Sequence, residues 1–224
     1  MIVNTLEVNK EALADIQSLM LDEQGRILPV PFKEINKFSQ NDISAFCVQQ
    51  AIYQVPTIEL LQWLESEIPD KSTTIEIGAG NGCVGRNLGI RMYDNFHQDN
   101  EMMQFYYATI GQPTVKYGSD VIRMNGNKAV NILHPETVIA CWVTQKFQKG
   151  DDIKKVKIGS NMYGVNELDF IGKIRKYIHV GNTATHHDKR ILSKVWFREY
   201  KFPWLISRSM SREKNVIHVF KCHK

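Results

Sequence analysis

Cysteine is scarce and poorly placed for cross-linking: Cys47, Cys83, Cys141 and Cys222 are the only four in 224 residues, and no two form a Cys-x-x-Cys pair. That spacing argues against a disulfide framework and a zinc knuckle, and it fits reduced thiols in a cytoplasmic protein. Long apolar runs are missing too. The longest, Val138–Val143, is six residues, whereas a helix needs about 20 to cross a bilayer, so no membrane partner is expected. Glu7, Lys10 and Glu11 break the N-terminal stretch before an apolar h-region can form, and no secretory signal is expected. Nor is there an internal repeat or a low-complexity tract. Cys222-His223 with His218 reads as an exposed tail, and His186-His187 lacks a third ligand, so no metal site is expected.

What is present is the composition of an ordinary globular chain, 43% apolar and 23% charged, of a length that buries one sizeable core. Charge is lopsided: residues 1–145 carry 10 Lys+Arg against 17 Asp+Glu, and residues 146–224 carry 18 against 7. The basic half suggests an anionic or nucleic-acid partner, with Lys173–Lys176, Lys189, Arg190, Arg208 and Arg212 as the cations that could form one face if they converge. The aromatics Trp196, Phe197, Tyr200, Phe202 and Trp204 read equally as core or as stacking platforms.

Helical spacing is clear in NKEALADIQSLML after an Asn9 cap, in DISAFCVQQAIYQV, and in TIELLQWLESEI with Thr57 as N-cap. Pro29 and Pro31 mark an irregular connector between the first two. Residues 1–70 thus read as a helical segment that packs on or caps the site, and residues 71–224 as the main α/β domain, one compact unit overall. From Thr73 strands and helices alternate: TTIEIG, IRMYD, TVKYGSDVIRM, TVIACWV and YIHVGN are strand-like, and NEMMQFYYATIG, GNKAVNIL and VNELDFIGKIRK are helical. DDIKKVKIG reads as a hairpin or edge piece, and WFREYKFPWLISRSMSREKNVIHVFK as two strands around a polar turn. The order predicts an α/β fold with a doubly wound, mostly parallel seven-stranded sheet, helices on both faces, and a C-terminal antiparallel hairpin strand.

The stretch IEIGAGNGCVG at residues 75–85 carries the functional signal. Gly80-x-Gly82-x-x-Gly85 matches a dinucleotide fingerprint, and Glu76-x-Gly78-x-Gly80-x-Gly82 matches an acidic glycine-rich turn. Glycine permits positive φ and a close ligand, and the helix N-terminus beyond offers free N–H groups, in either case. Glu76 discriminates. A carboxylate there repels a pyrophosphate and suits the sulfonium and ammonium of S-adenosylmethionine.

IEIGAGNG also resembles motif I of the class I, Rossmann-like S-adenosylmethionine-dependent methyltransferases. The resemblance runs from Tyr53 to Val143 and implies a cofactor site built from Tyr53, Glu76, Gly78, Ala79, Gly80, Asn81, Gly82, Asp94, Asn125, Cys141 and Trp142. In it Asp94 of RMYDNF, or else Asp99, would hold the ribose hydroxyls, and Asn125 would stand where the family often has an Asp that accepts from the adenine amino group. ETVIACWVT is similar to the family's motif IV strand, and Tyr53 in AIYQVPT would contact the methionine end. The (Asp/Asn)-Pro-Pro-(Tyr/Phe) motif of amino-methylating DNA enzymes and the Pro-Cys nucleophile of cytosine-C5 enzymes are both absent, which lowers both DNA classes and leaves the acceptor open.

Catalytic candidates are Trp142, which could stack on an acceptor, Thr144, which could orient one, and His187 or His186 with Asp188 as a general base. The expected activity is methyl transfer to an unassigned acceptor. Two alternatives stand beside it: a silent methyltransferase-like binding protein acting through its basic half, and an NAD(P)-binding protein.

Overall fold

The computed structural model describes residues 8–148 and 160–222. The N-terminal helices are α1 (Lys10–Met20), α2 (Phe32–Ile35), α3 (Gln40–Gln49) and α4 (Ile58–Glu67). Asn9 starts α1 by accepting the N–H of Glu11 at 2.9 Å, and Thr57 starts α4 by accepting that of Leu60 at 3.2 Å, so both expected caps satisfy otherwise orphaned helix-end donors. Ile16, Met20, Ile35, Ile43, Phe46 and Cys47 from the first three helices form their own buried cluster, closed by Ile52, Val55 and Ile206. That cluster joins the rest through Val55 N–H to Ile206 O (3.0 Å) and Arg208 N–H to Tyr53 O (3.1 Å).

The remainder is a mixed α/β unit. In chain order it runs β1 (Thr74–Ile77), α5 (Cys83–Leu88), β2 (Arg91–Asp94), α6 (Glu101–Thr109), β3 (Ile122–Arg123), α7 (Gly126–Leu133) and β4 (Thr137–Cys141). After these come β5 (Gln145–Lys146), β6 (Ser160–Asn161), β7 (Lys176–Asn182), α8 (Thr183–His186), α9 (Arg190–Lys194), β8 (Phe197–Tyr200) and β9 (Asn215–Lys221). Seven strands form one sheet in the order β3-β2-β1-β4-β7-β9-β8, and β5 pairs with β6 in a small second one. The β1, β2, β3, β4 and β7 pairings are parallel; β9 is antiparallel to β7 from Lys176↔Lys221 to Asn182↔Asn215, and to β8. The chain therefore leaves β1 toward β3 on one side and returns to β4 on the other, which places the switch beside β1.

All four residues of β1 are buried, as expected for a parallel strand covered on both faces. Ile75, Ile77, Val138, Ala140 and Tyr177 pack with Ala129 and Val130 of α7 and with Ile191 of α9. On the opposite face Ile139, Ile178, Val180 and Ile217 pack with Leu60, Leu61 and Leu64 of α4 and with Val84 and Leu88 of α5. Helices thus flank a mostly parallel seven-stranded sheet.

Three local expectations change. TVKYGSDVIRM yields only the two-residue β3, because residues 112–121 form a loop whose Asp120 is clamped by Arg86 at 2.6 Å. VNELDFIGKIRK folds as two 3-10 turns, Glu167–Asp169 and Ile171–Lys173, not one helix, with the N–H of Phe170 bonded to Glu167 O. The last two strands pair as expected, but residues 201–214 join them by a long excursion rather than a tight turn. The hairpin or edge reading of 151–159 lies outside the described residues.

Candidate functional site

The glycine turn leaves β1 at its carboxyl end with Gly78, Gly80 and Gly82 all at positive φ (62°, 56° and 76°). L side chains rarely tolerate that geometry, so the residue type follows from the turn. At Gly78 an added Cβ would lie 2.5 Å from Val143 Cγ2; at Gly80 it would meet only Val115 Cγ1, at 3.6 Å. Two acids hold the turn. Asp94, the last residue of β2, accepts the N–H of Gly80 on Oδ2 and that of Phe96 on Oδ1, both at 2.9 Å. Glu76, 1% exposed, accepts the N–H of Gly85 on Oε2 at 2.8 Å. Burial pushes the Glu76 carboxyl up to about 8; the Gly85 bond lowers it, the neighbouring Asp94 raises it and Arg86 lowers it. Burial also raises Asp94, against the pull of the Gly80 and Phe96 N–H groups.

A cavity of about 310 Å³ opens over this turn, within the size range of small-ligand pockets. Of the expected site residues, Tyr53, Gly78, Gly80, Asp94, Asn125, Cys141, Trp142 and Thr144 line it. Glu76, Ala79 and Asn81 line a smaller neighbour of about 60 Å³ that shares Tyr53, Gly78, Gly80 and Cys141. Gly82 lines neither of these two and is the left-handed residue that starts α5. Asp99 is exposed on a 3-10 turn and outside both, so Asp94 is the carboxylate that reaches the cavity.

Several roles differ in detail from the expectation. Asn125 already uses its side-chain oxygen to accept the N–H groups of Asn127 (3.0 Å) and Lys128 (3.4 Å) at the start of α7. It therefore offers a ligand its amide donors, because its acceptor is committed to the helix. Burial pushes the Cys141 thiol well above the usual range, as befits a packing residue and not a nucleophile. Thr144 accepts the Asn161 Nδ2 amide at 2.9 Å on Oγ1, which leaves its own proton to donate. His187 is exposed, bonds Thr183 O and Asp188, and lines none of the cavities described. The base expected at His187 is thus outside the site, because the short α8 turns His186 inward instead.

Trp142 is the most unusual residue. Its φ is 60°, its backbone N–H donates to Val180 O at 2.8 Å, and its indole Nε1–H donates to Gln54 Oε1 at 3.2 Å. A bulky residue held left-handed carries strain on the order of 1–3 kcal/mol and is a mark of functional sites. Tyr53 lies on one side of the indole at 6.2 Å and His186 edge-on at 5.3 Å.

Sequence reasoning missed what lies behind that indole. His179, His186 and His218 are all buried, with His179 4.8 Å from His186 and 6.0 Å from His218. Lys189, also buried, pairs with Glu167 at 2.5 Å and donates to Val143 O at 2.7 Å, one residue after Trp142. Burial holds all three imidazoles below their ordinary range, His186 at about 3, so they are neutral. No group of His, Cys, Asp and Glu among the described residues could hold a metal. Five of the cations singled out from the basic half are tied to separate partners: Lys173 to Asn131, Arg175 to Glu136, Lys176 to Glu67, Lys189 to Glu167 and Arg212 to Asn36. Phe202 stacks on Trp204 at 4.3 Å and packs with Trp63 and Tyr200 as a partly buried group against the core, whereas Trp196 is exposed.

No described helix is long and apolar enough to cross a membrane. No family model and no curated protein matches the chain. Among solved structures it is similar to the crystal structure of Thermoplasma acidophilum 1320, at 13% identity over 86% of this chain and 96% of that one, with a TM-score of 0.35. A likeness that shallow decides nothing about fold or function.

Proposed function

We propose that this chain is an S-adenosylmethionine-dependent methyltransferase with a doubly wound sheet, and that the cavity over the glycine turn is its cofactor site. The observation that carries the reading is the charge around the turn: Glu76 and Asp94 border the two cavities there, and among the described residues no lysine or arginine lines either. A pyrophosphate would meet two acids and, among the described residues, no counter-charge, whereas a cationic ligand is favoured by Asp94 and by the Glu76 carboxyl, which gives up its proton as the cation binds. The position of the turn, at the carboxyl end of β1 beside the switch between β1 and β4, supports a ligand crevice there. The strand order also agrees with the resemblance, since an antiparallel strand near the edge completes an otherwise parallel sheet.

The residues present fit the cofactor. Gly80 leaves room for close approach. Each Asp94 oxygen accepts one N–H and keeps a lone pair for a hydroxyl donor. When bound, the cofactor supplies a methyl group on a cationic sulfur for displacement by the acceptor. Tyr53 and Trp142 form an aromatic wall that excludes water and favours positive charge. The Thr144 hydroxyl, with its proton free, can orient an acceptor. Alignment of the two ligands, rather than a dedicated base, is the contribution asked of the protein.

One observation favours the second reading, a cofactor-holding protein without turnover: the described residues place neither His186 nor His187 in the main cavity. Titration calorimetry with S-adenosylhomocysteine should give saturable one-to-one binding. At a hundredfold excess over Kd it should stabilise the fold by about 2.7 kcal/mol, a Tm rise on the order of 5–10 °C, and NAD(P) should give none. Stabilisation by NAD(P) and not by S-adenosylhomocysteine would sink the reading. Turnover of S-adenosylmethionine with added acceptors separates enzyme from binder.

A further inference from the structure

A second opening of about 310 Å³ adjoins the main cavity and is lined by Tyr53, Trp142, Thr144, Thr185, Arg208 and Ser209. The first three residues belong to both. Its chemistry is the reverse of its neighbour's, since among the described residues no carboxylate lines it. Arg208 is half-buried, with its guanidinium 4.6 Å from the centroid of the Tyr53 ring. Its Nη2 donates to Gln112 Oε1 at 3.3 Å, and it forms no ion pair among the described residues. A guanidinium has five N–H donors and never loses its charge, so most of its binding capacity here is unused. Partial burial without a counter-ion is also costly until an anion arrives.

The hydroxyls around it point to the same ligand. Thr144 Oγ1 accepts from Asn161, and Ser209 Oγ accepts the N–H of Ser211 at 3.2 Å, so each hydroxyl proton is free to donate. The Thr185 hydroxyl makes no hydrogen bond among the described residues. One guanidinium and three hydroxyl donors, with no acid among the described residues and with Trp142 alongside, make an oxyanion site beside an aromatic surface.

We propose that this opening binds a small molecule bearing a carboxylate or phosphate, held by Arg208 with Thr185 and Ser209 and lying along Trp142. That the bound molecule accepts a methyl group rests on the cofactor reading above; that it binds does not. Among the described residues it meets the cavity over the glycine turn only through Tyr53, Trp142 and Thr144, which makes those three the border between the two ligands.

The test uses benzoate, phenyl phosphate, inorganic phosphate and the neutral isostere benzamide, titrated at fixed ionic strength and followed by tryptophan fluorescence and by calorimetry. Benzoate or phenyl phosphate should saturate and benzamide should not; the tighter of the two identifies the oxyanion, and inorganic phosphate shows how much the ring adds. Arg208→Gln should weaken the preferred anion about tenfold or more, and Thr185→Val severalfold. Both should leave S-adenosylhomocysteine affinity unchanged. Benzamide binding as well as benzoate, failure of both anions to saturate, or unchanged anion affinity in Arg208→Gln would overturn the proposal. Should Arg208→Gln not fold, Arg208→Lys, which keeps charge but loses the fork, and the benzoate–benzamide comparison on the unaltered protein decide it. In the unaltered protein, S-adenosylhomocysteine binding without anion binding overturns this proposal alone, and anion binding without S-adenosylhomocysteine binding overturns the cofactor reading alone.

Discussion

Glu76 and Asp94 are two acids on one turn with different surroundings. Asp94 has both oxygens on backbone N–H groups, whereas Glu76 has one such bond and almost no exposure. Burial therefore dominates at Glu76 and holds its folded pKa at about 8, against 4.5 for the free group. A carboxyl raised on folding gives stability that is present in full below pH 4.5 and is lost as pH rises through 8, because the folded chain keeps a proton that the unfolded chain releases. Glu76→Gln keeps the oxygen that accepts the Gly85 N–H and cannot ionise. Its urea midpoint should match the unaltered protein near pH 5 and exceed it near pH 8. A gap that does not change with pH would show that Glu76 titrates normally. Under the proposed reading S-adenosylmethionine would draw that proton off, so its calorimetric binding enthalpy at pH 7 should differ between two buffers by their ionisation heats and should not differ in Glu76→Gln.

At the scale of the element, the β1–turn–α5 unit separates space from conformation. Gly78→Ala meets both a positive φ and Val143 at 2.5 Å, while Gly80→Ala meets the φ alone. Alanine at Gly80 should cost about 1 kcal/mol in chemical denaturation and abolish or greatly weaken S-adenosylhomocysteine binding. Alanine at Gly78 should cost at least about 1–3 kcal/mol, because the side chain of Val143 must also shift. Equal stability losses with cofactor binding intact in Gly80→Ala would remove the turn from the site. This unit was legible in the sequence because its signals are local: a buried β-branched run, alternate glycines and a helix start within a dozen residues. The caps at Asn9 and Thr57 were legible for the same reason. The cavity's other walls were not. Val115 and Tyr117 come from the loop mistaken for a strand, and Tyr163 and Val165 arrive from the far side of β6, so only tertiary contacts put them there. The choice between His186 and His187 depended on the rotation of a four-residue helix, which no pattern encodes.

At the scale of the whole molecule, His179, His186 and His218 sit between β7, α8 and β9, faced by Lys189 and, at His218, by Glu199 at 3.3 Å. Their pKa values are depressed on folding from the usual 6.5. The unfolded chain then binds protons that the folded one refuses, so their contribution is present in full above pH 6.5 and falls as pH drops toward 3 at His186. With Glu76 acting in the opposite direction, urea denaturation should find greatest stability near pH 6.5, with a decline toward pH 4.5 from the imidazoles and one toward pH 8 from the carboxyl. His179→Phe would fill a buried site where neither ring nitrogen has a well-formed hydrogen bond among the described residues; it should flatten the acid limb, and an unchanged limb would place the titration elsewhere.

The border formed by Tyr53, Trp142 and Thr144 has a consequence for how such a protein can change over time. Most of what else touches the acid-lined chambers comes from residues 76–126 and 161–165, with Ile27, Ala51, Ile52, Gln54, Cys141 and Val143 besides, whereas among the described residues the acid-free one adds only Thr185, Arg208 and Ser209. A lineage could therefore retune the acid-free chamber by substitutions in two short stretches late in the chain and leave the acid-lined ones untouched. Duplicates that diverged this way would differ around positions 185 and 208 while sharing the turn at 76–82.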